Sequence, residues 1–280
     1  MPELPEVECI RRGLHERLLT DAIVDVRVHR ASVIHPQAFG RAAIEPAELL
    51  AGSRVVQLER HGKQLALIGA CGRVVCIRLG MSGQLLLRAN HEPGPTDHVH
   101  VEWLLRSSQR LLFRDPRRFG GLWLYPEREA LERQAWSSLG PDALTISSRS
   151  LAAMMTRTKV SIKAALLDQH RLAGVGNIYA DEALFRSGIH PLRKGSDLST
   201  DEVSILSRAI RETLRTAINA GGSTLRDYVN VYGQRGKSQD AHAVYGRADL
   251  PCLRCGQNLR SIKVTGRTTT FCPSCQSIKG

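Results

Sequence analysis

The chain has 280 residues, enough for two domains and a small appendage. Its 39 Lys and Arg against 27 Asp and Glu give a net charge of +12 and a sequence pI near 9.8. That surplus suits a polyanionic partner, most often nucleic acid, although a merely basic protein has the same count. No apolar run reaches the roughly 18–20 residues of a membrane span, and the N-terminus lacks the basic stretch and apolar core of a signal peptide; an intracellular enzyme is expected.

The chain opens Met1-Pro2-Glu3-Leu4-Pro5-Glu6-Val7-Glu8. With Met1 removed it would begin with the secondary amine of Pro2, beside the carboxylate of Glu3. An α-amino group titrates at roughly 7.7–8.0 and a lysine at roughly 10.4, so near pH 7.5 about a third of ordinary α-amines are neutral. Proline is more basic than that, so a neighbour such as Glu3 has to help take its proton. A neutral amine can attack an electrophilic carbon and form a Schiff base. The plainer alternative is that Pro2 and Pro5 only pre-set φ at a helix start.

Residues 3–19 read as one helix, with Val7, Ile10, Leu14 and Leu18 three to four apart and Glu3 and Glu6 near its positive end. Strand signals follow. Val24, Val26 and Val28 alternate with charged residues, and residues 64–79 form two apolar runs around Ala70-Cys71-Gly72, a hairpin pattern. His98–Leu105, Arg110–Phe113 and Leu122–Tyr125 continue in that style, so the first half is expected to be a β-rich layer or sandwich. Turn residues between Ser137 and Ser150 suggest a linker, after which the period becomes helical. Asn177 is expected to cap a helix running to about Arg186, stopped by Gly188 and Pro191. Ser199 and Glu202 form a capping box ahead of Val203, Leu206, Ile210 and Leu214, and Gly221-Gly222 ends that helix. Residues 223–250 read as a loop leading into a cysteine module. The domain reading is therefore 1–136, a linker at 137–150, 151–247 and 248–280.

Four of the seven cysteines, Cys252, Cys255, Cys272 and Cys275, form two C-x2-C pairs sixteen residues apart. This is the spacing of a tetrahedral zinc site, and four thiolates leave no open position, so one structural Zn²⁺ is expected. Disulfides are the weaker explanation in a reducing compartment. Residues 251–280 carry Arg254, Arg260, Lys263, Arg267 and Lys279 and no acidic residue, a sign that fits a nucleic-acid groove or simply a solvated basic face. Gly174-Val175-Gly176-Asn177 opens a helix and can hold a phosphate on its N–H groups, or merely serve the turn. Arg114-Asp115-Pro116-Arg117-Arg118-Phe119-Gly120 sets arginines against an aromatic, either a wedge for a base stack or an ordinary turn with Phe119 in the core. Met81, between Gly80 and Ser82, reads as a core or turn methionine.

These pieces in this order resemble the bacterial formamidopyrimidine-DNA glycosylases. The matching residues are Pro2 to Glu8, His61-Gly62-Lys63, Met81-Ser82-Gly83, Asp115 to Gly120, Gly174 to Tyr179, Val244-Tyr245-Gly246-Arg247 and the four cysteines, and they span the chain. The resemblance implies an α+β, multidomain protein: an N-terminal helix and catalytic β-sandwich (1–136), a helix–two-turn–helix domain with a lesion loop (151–247) and a four-cysteine zinc finger hairpin (248–280). It implies a base-excision-repair enzyme for double-stranded DNA, monomeric and cytoplasmic, with the DNA in a cleft between the halves. Pro2 would attack C1′ of an oxidised purine nucleoside, expel the base and leave a Schiff base, and β- and δ-eliminations would cut the strand. Glu3 would handle protons at the sugar, Lys63 would serve β-elimination, and Arg267 would grip phosphates and serve δ-elimination. Asn177 and Lys159 would bind the DNA backbone. Met81, Arg117 and Phe119 would fill the hole left by the flipped base, with Arg117 facing the orphaned cytosine.

Three departures limit this carry-over. Thr96-Asp97-His98 stands where many relatives have His-Asp-His, Ser107-Ser108 looks like extra length in a hairpin turn, and residues 236–239 and 241–243 differ from much of the family. The alternatives are an endonuclease VIII-like glycosylase for oxidised pyrimidines and a catalytically silent DNA-binding homologue. Leu4 and Arg117-Arg118-Phe119 speak against the first; Pro2, Glu3 and Lys63 speak against the second.

Overall fold

The computed structural model describes residues 2–36, 44–156 and 158–278; Lys279 lies outside them. The chain divides into two compact units, 1–138 with 220–237, and 139–219 with 238–280. Among the described residues no helix is long and apolar enough to cross a membrane.

The first unit begins with α1 (Leu4–Leu19), whose stripe of Leu4, Val7, Ile10, Leu14 and Leu18 is buried as the 3.6-residue period requires. Gly13 sits in the middle of the helix, at a cost of roughly 1 kcal/mol relative to alanine. Its reason is close approach: a Cβ there would lie 2.7 Å from Val231 Cγ2. Among the described residues of this unit nine strands follow: β1 (Ile23–Val28), β2 (Ile34–Pro36), β3 (Val55–His61), β4 (Gln64–Gly69), β5 (Val74–Arg78), β6 (Gln84–Ala89), β7 (Val99–Leu105), β8 (Gln109–Arg114) and β9 (Gly121–Tyr125). They form a four-stranded sheet in the order β1-β7-β8-β6 and a five-stranded sheet in the order β2-β9-β5-β4-β3, with β2 and β9 running parallel.

Alternate residues of both sheets, including Trp103, Leu111 and Phe113 from one and Leu65, Leu67, Val75 and Ile77 from the other, share one core with α1. Each large apolar side chain buried this way contributes roughly 1.5–3 kcal/mol. The Trp103 indole N–H is satisfied by the Leu49 carbonyl at 2.9 Å.

The hairpin read at 64–79 is β4–β5, and the later runs are β7, β8 and β9. The valine alternation of β1 does not hold: Val26 is buried while Val24 and Val28 are exposed. A register shift between Ile23 and Asp25 turns Val24 out, and Val28, in regular register with Val26, is exposed at the strand's end. The β7–β8 turn spans residues 106–108 and is closed by Ser108 at φ 59°.

Residues 220–237 return to the first unit, which no loop signal in the sequence announces. The Leu87 N–H donates to the Val231 carbonyl at 2.8 Å, and Val231 and Tyr228 enter the core. A short helix, α2 (Arg128–Gln134), precedes the crossing to the second unit.

The second unit holds α3 (Ser148–Met155), α4 (Ile162–Leu167), α5 (Asn177–Ser187), α6 (Thr200–Asn219) and the hairpin β10 (Arg260–Val264) with β11 (Arg267–Phe271). Ser147, inside the stretch read as a linker, caps α3 by accepting from Ser150 N at 3.0 Å. The N-cap of α5 is Gly176, one residue before the expected Asn177, and Gly188 ends the helix at φ 70°. The capping box of α6 is formed, with Glu202 N donating to Ser199 Oγ at 3.2 Å and Ser199 N to Glu202 Oε2 at 2.9 Å.

Candidate functional site

Pro2 and Glu3 lie buried just ahead of α1, with Glu3 as its N-cap. Glu6, read as no more than a helix-dipole residue, does more. Its Oε2 accepts the Glu3 N–H at 2.7 Å, and its Oε1 accepts the Ser223 N–H at 2.7 Å. The start of α1 is thereby tied to segment 220–237. One turn on, the Glu8 carboxylate accepts from Arg11 Nη2 and Arg12 Nε at 2.8 Å and from Arg60 Nε at 3.1 Å. Burial alone would raise it, but hydrogen bonds from Arg11 and Arg12 and the charge of Arg60 hold it down at about 2.

Lys63 occupies the two-residue turn between β3 and β4, where His61 pairs with Gln64. Gly62 supplies φ 56° at the first central position while Lys63 stays out of the left-handed region, the pattern of a type II′ turn.

Met81 and the Arg117–Phe119 segment sit on two loops, β5–β6 and β8–β9, that are locked together. Asp115 does the locking: Oδ1 accepts from Ser82 Oγ at 2.5 Å, and Oδ2 accepts the Gly120 N–H at 2.7 Å. The Arg117 N–H donates to Ser82 Oγ at 3.2 Å, and Arg117 Nη2 reaches the Met81 carbonyl at 3.4 Å and Asp227 Oδ2 at 2.8 Å. Phe119 is 59% exposed, which removes the reading of it as a core residue. Met81 is half-buried in the same pair of loops. The three residues expected as a wedge are thus brought together. Ser82 and Asp115 lay inside the quoted motifs without a role, and Asp227, 110 residues from Arg117, had no signal. At the departure noted before β7, Asp97 pairs with Arg114 at 2.7 Å.

In the second unit, Asn177 Nδ2 donates to the Thr268 carbonyl of β11 at 2.9 Å, placing Asn177 next to the residue after Arg267. Asn177 Oδ1 is buried without a partner among the described residues. Arg267 follows the β10–β11 turn, where Thr265 and Gly266 both have positive φ, 47° and 74°. Lys159 is exposed on the segment leading into α4.

Beneath α5 the Lys163 ammonium contacts Asp181 Oδ1 and donates to the Asn177 carbonyl at 3.1 Å, while Asp181 Oδ2 accepts the Thr270 N–H at 3.1 Å. Burial pushes the Asp181 carboxyl up, and Lys163 opposes it. One ion pair, absent from any motif reading, therefore joins α4, α5 and β11.

The four cysteines converge. All four Sγ atoms lie within 4.8 Å of one another, with Cys252–Cys275 at 4.0 Å and Cys255–Cys272 at 3.5 Å. Zn–S bonds of about 2.3 Å in a tetrahedron put sulfurs about 3.8 Å apart, whereas a disulfide needs about 2.05 Å. The donor set fits one structural zinc.

Beside this site, Glu182 of α5 accepts from the N–H groups of Ala243, Val244 and Tyr245 at 2.8–2.9 Å. Ser238, Ala241 and Ala243, among the residues read above as departing from the family pattern, line a cavity of about 240 Å³ against α5 and α6.

Residues 1–122 match the formamidopyrimidine-DNA glycosylase N-terminal domain, 139–229 the H2TH domain of that enzyme, and 249–278 a zinc finger found in FPG and IleRS. The formamidopyrimidine-DNA glycosylase of Marinobacter nauticus is 40% identical over 278 residues, covering 99% of this chain and 100% of its own. The chain belongs to the formamidopyrimidine-DNA glycosylase family. The Bacillus subtilis member is 39% identical over the whole of both chains. Among solved structures, MutM (Fpg) of Thermus thermophilus superimposes with a TM-score of 0.86 at 37% identity over 100% of both chains. A mutant of the Lactococcus lactis Fpg, in complex with a Fapy-dG containing DNA, gives 0.87 at 30% identity over 99% of this chain and 100% of that one.

Proposed function

We propose that the chain is a bifunctional DNA glycosylase and AP lyase that excises oxidised purines, 8-oxoguanine and formamidopyrimidines, from double-stranded DNA. The carrying observation is Pro2 at the head of α1 beside Glu3, in a chain related over its full length to formamidopyrimidine-DNA glycosylases. Once Met1 is cleaved, the Pro2 nitrogen is a free secondary amine at the positive end of a helix, a place that disfavours its protonated form.

The amine attacks C1′ of the flipped nucleoside and the base departs with the glycosidic electrons. Loss of the amine proton and opening of the sugar leave an iminium between Pro2 and C1′. The iminium acidifies C2′, so a base removes a C2′ proton and the 3′-phosphate leaves. A second elimination expels the 5′-phosphate. In this reading Glu3 exchanges protons with the sugar, Lys63 serves the first elimination, and Arg267 holds the phosphates for the second. Asn177 and Lys159 contact the backbone, Met81, Arg117 and Phe119 occupy the space of the extruded base, and Arg117 meets the O2 and N3 acceptors of cytosine. The thiolates of Cys252, Cys255, Cys272 and Cys275 would hold one zinc ion that fixes the Arg267 hairpin and, with four ligands, would leave no position for bond changes. The bacterial relatives support the cytoplasm, on chromosomal DNA, as the place of work in this reading.

Borohydride reduction during reaction with an 8-oxoguanine:cytosine duplex tests this. A covalent protein–DNA adduct is expected, and it disappears when Pro2 is replaced by Gly with an extra residue ahead of it. DNA binding with no adduct in either form overturns the reading.

A further inference from the structure

We infer that Arg60 is a positioning residue for Lys63, and that it acts on strand cleavage more than on base removal. The inference rests on the role given to Lys63 above. Arg60 lies on β3, is only 7% exposed, and is held at two points. Its Nε donates to Glu8 Oε2 at 3.1 Å, and its Nη1 donates to the Gly62 carbonyl at 3.0 Å. Glu8 is itself fixed by Arg11 and Arg12 on α1.

The Gly62 carbonyl belongs to the peptide joining the two central residues of the β3–β4 turn. Rotation of that one peptide plane converts a type II′ turn into a type I′ turn, which demands φ > 0 at both central positions. It would carry Lys63 into the left-handed region and re-aim its side chain. A guanidinium clamped to Glu8 and donating to that carbonyl holds the plane in the observed orientation. The Glu8–Arg60–Gly62 chain thereby connects α1, the helix that Pro2 precedes, to the backbone that aims Lys63. Lysine at position 60 has one compact ammonium, which cannot span both contacts as the planar fork does.

The test uses zinc-loaded protein and an 8-oxoguanine:cytosine duplex, with base release and enzymatic strand incision measured on the same aliquots. Arg60→Met is expected to lower the ratio of incision to base release about three- to tenfold, in the same direction as Lys63→Ala. Arg60→Lys should fall between wild type and Arg60→Met, and it carries the test if the methionine variant does not fold. A parallel fall of both steps, or an unchanged ratio, makes Arg60 merely structural and overturns the inference while Lys63→Ala still shifts the ratio. If Lys63→Ala leaves the ratio unchanged, the reading of Lys63 fails and the inference falls with it.

Discussion

Lys163 and Asp181 form an ion pair whose side chains are both fully buried, directly under the N-terminus of α5. Removing one partner of such a pair leaves a lone charge in a poorly polarisable interior, which typically costs about 3–5 kcal/mol. Lys163→Met is therefore expected to lower unfolding free energy by that amount in urea titrations. Lys163→Met with Asp181→Asn should recover more than about 1 kcal/mol of the loss. Additive losses would mean that the two side chains do not depend on each other.

A pH dependence follows from Glu8. Its folded value, about 2, lies below the ordinary 4.5, so its contribution is fully present above pH 4.5 and disappears as pH falls toward 2. Discounted for solvent screening of its arginine partners, the difference corresponds to about 2 kcal/mol. Urea midpoints of wild type and Glu8→Gln should differ most at pH 5–7, and the gap should shrink to less than half near pH 3. A gap of constant size across that range would contradict the assignment.

Phe119 separates stability from function. Because it is exposed, Phe119→Ala should change stability by less than about 0.5 kcal/mol. Extruding a base costs a few kcal/mol, so loss of the wedge should slow 8-oxoguanine excision at least about tenfold. Cleavage at a preformed abasic site, where no base needs extrusion, should be nearly unaffected. Equal losses on both substrates would remove the wedge assignment.

Chelation of zinc should unfold the β10–β11 hairpin, because binding and folding of such a module are one process. DNA affinity by fluorescence anisotropy should then fall at least about a hundredfold and lose much of its salt dependence, while fluorescence of the buried Trp103 stays native. Equal binding by metal-free protein would show that the hairpin does not grip DNA.

Much of this was legible in the chain itself. Caps and apolar period gave α1 and α6, and the turn at Ala70-Cys71-Gly72 gave β4–β5, since these depend on neighbours in sequence. Cysteine spacing gave the zinc site for the same reason. The partners of Arg117 and Lys163 were not legible, because Asp227 and Asp181 are brought in by the fold and polar residues carry no periodic mark. Nor did β6 or segment 220–237 announce itself: Tyr228 and Val231 lie in the short run Tyr228-Val229-Asn230-Val231-Tyr232 between turn formers, and which of its residues are buried is decided by the space they fill. Family motifs named the residues proposed as a wedge. They did not reveal that Asp115 and Ser82 bind the two loops together.

The return of residues 220–237 to the first unit bears on how the molecule is made. On the ribosome the N-terminal strands emerge long before Val231, whose side chain and carbonyl complete their core and edge. Until then α1 lacks the side chain that packs on Gly13, and the edge strand lacks the carbonyl that takes the Leu87 amide. Contacts so distant along the chain form slowly. The helix start at Glu6 waits for the same segment through Ser223, so synthesis must pass most of the second unit before the surroundings of Pro2 can set.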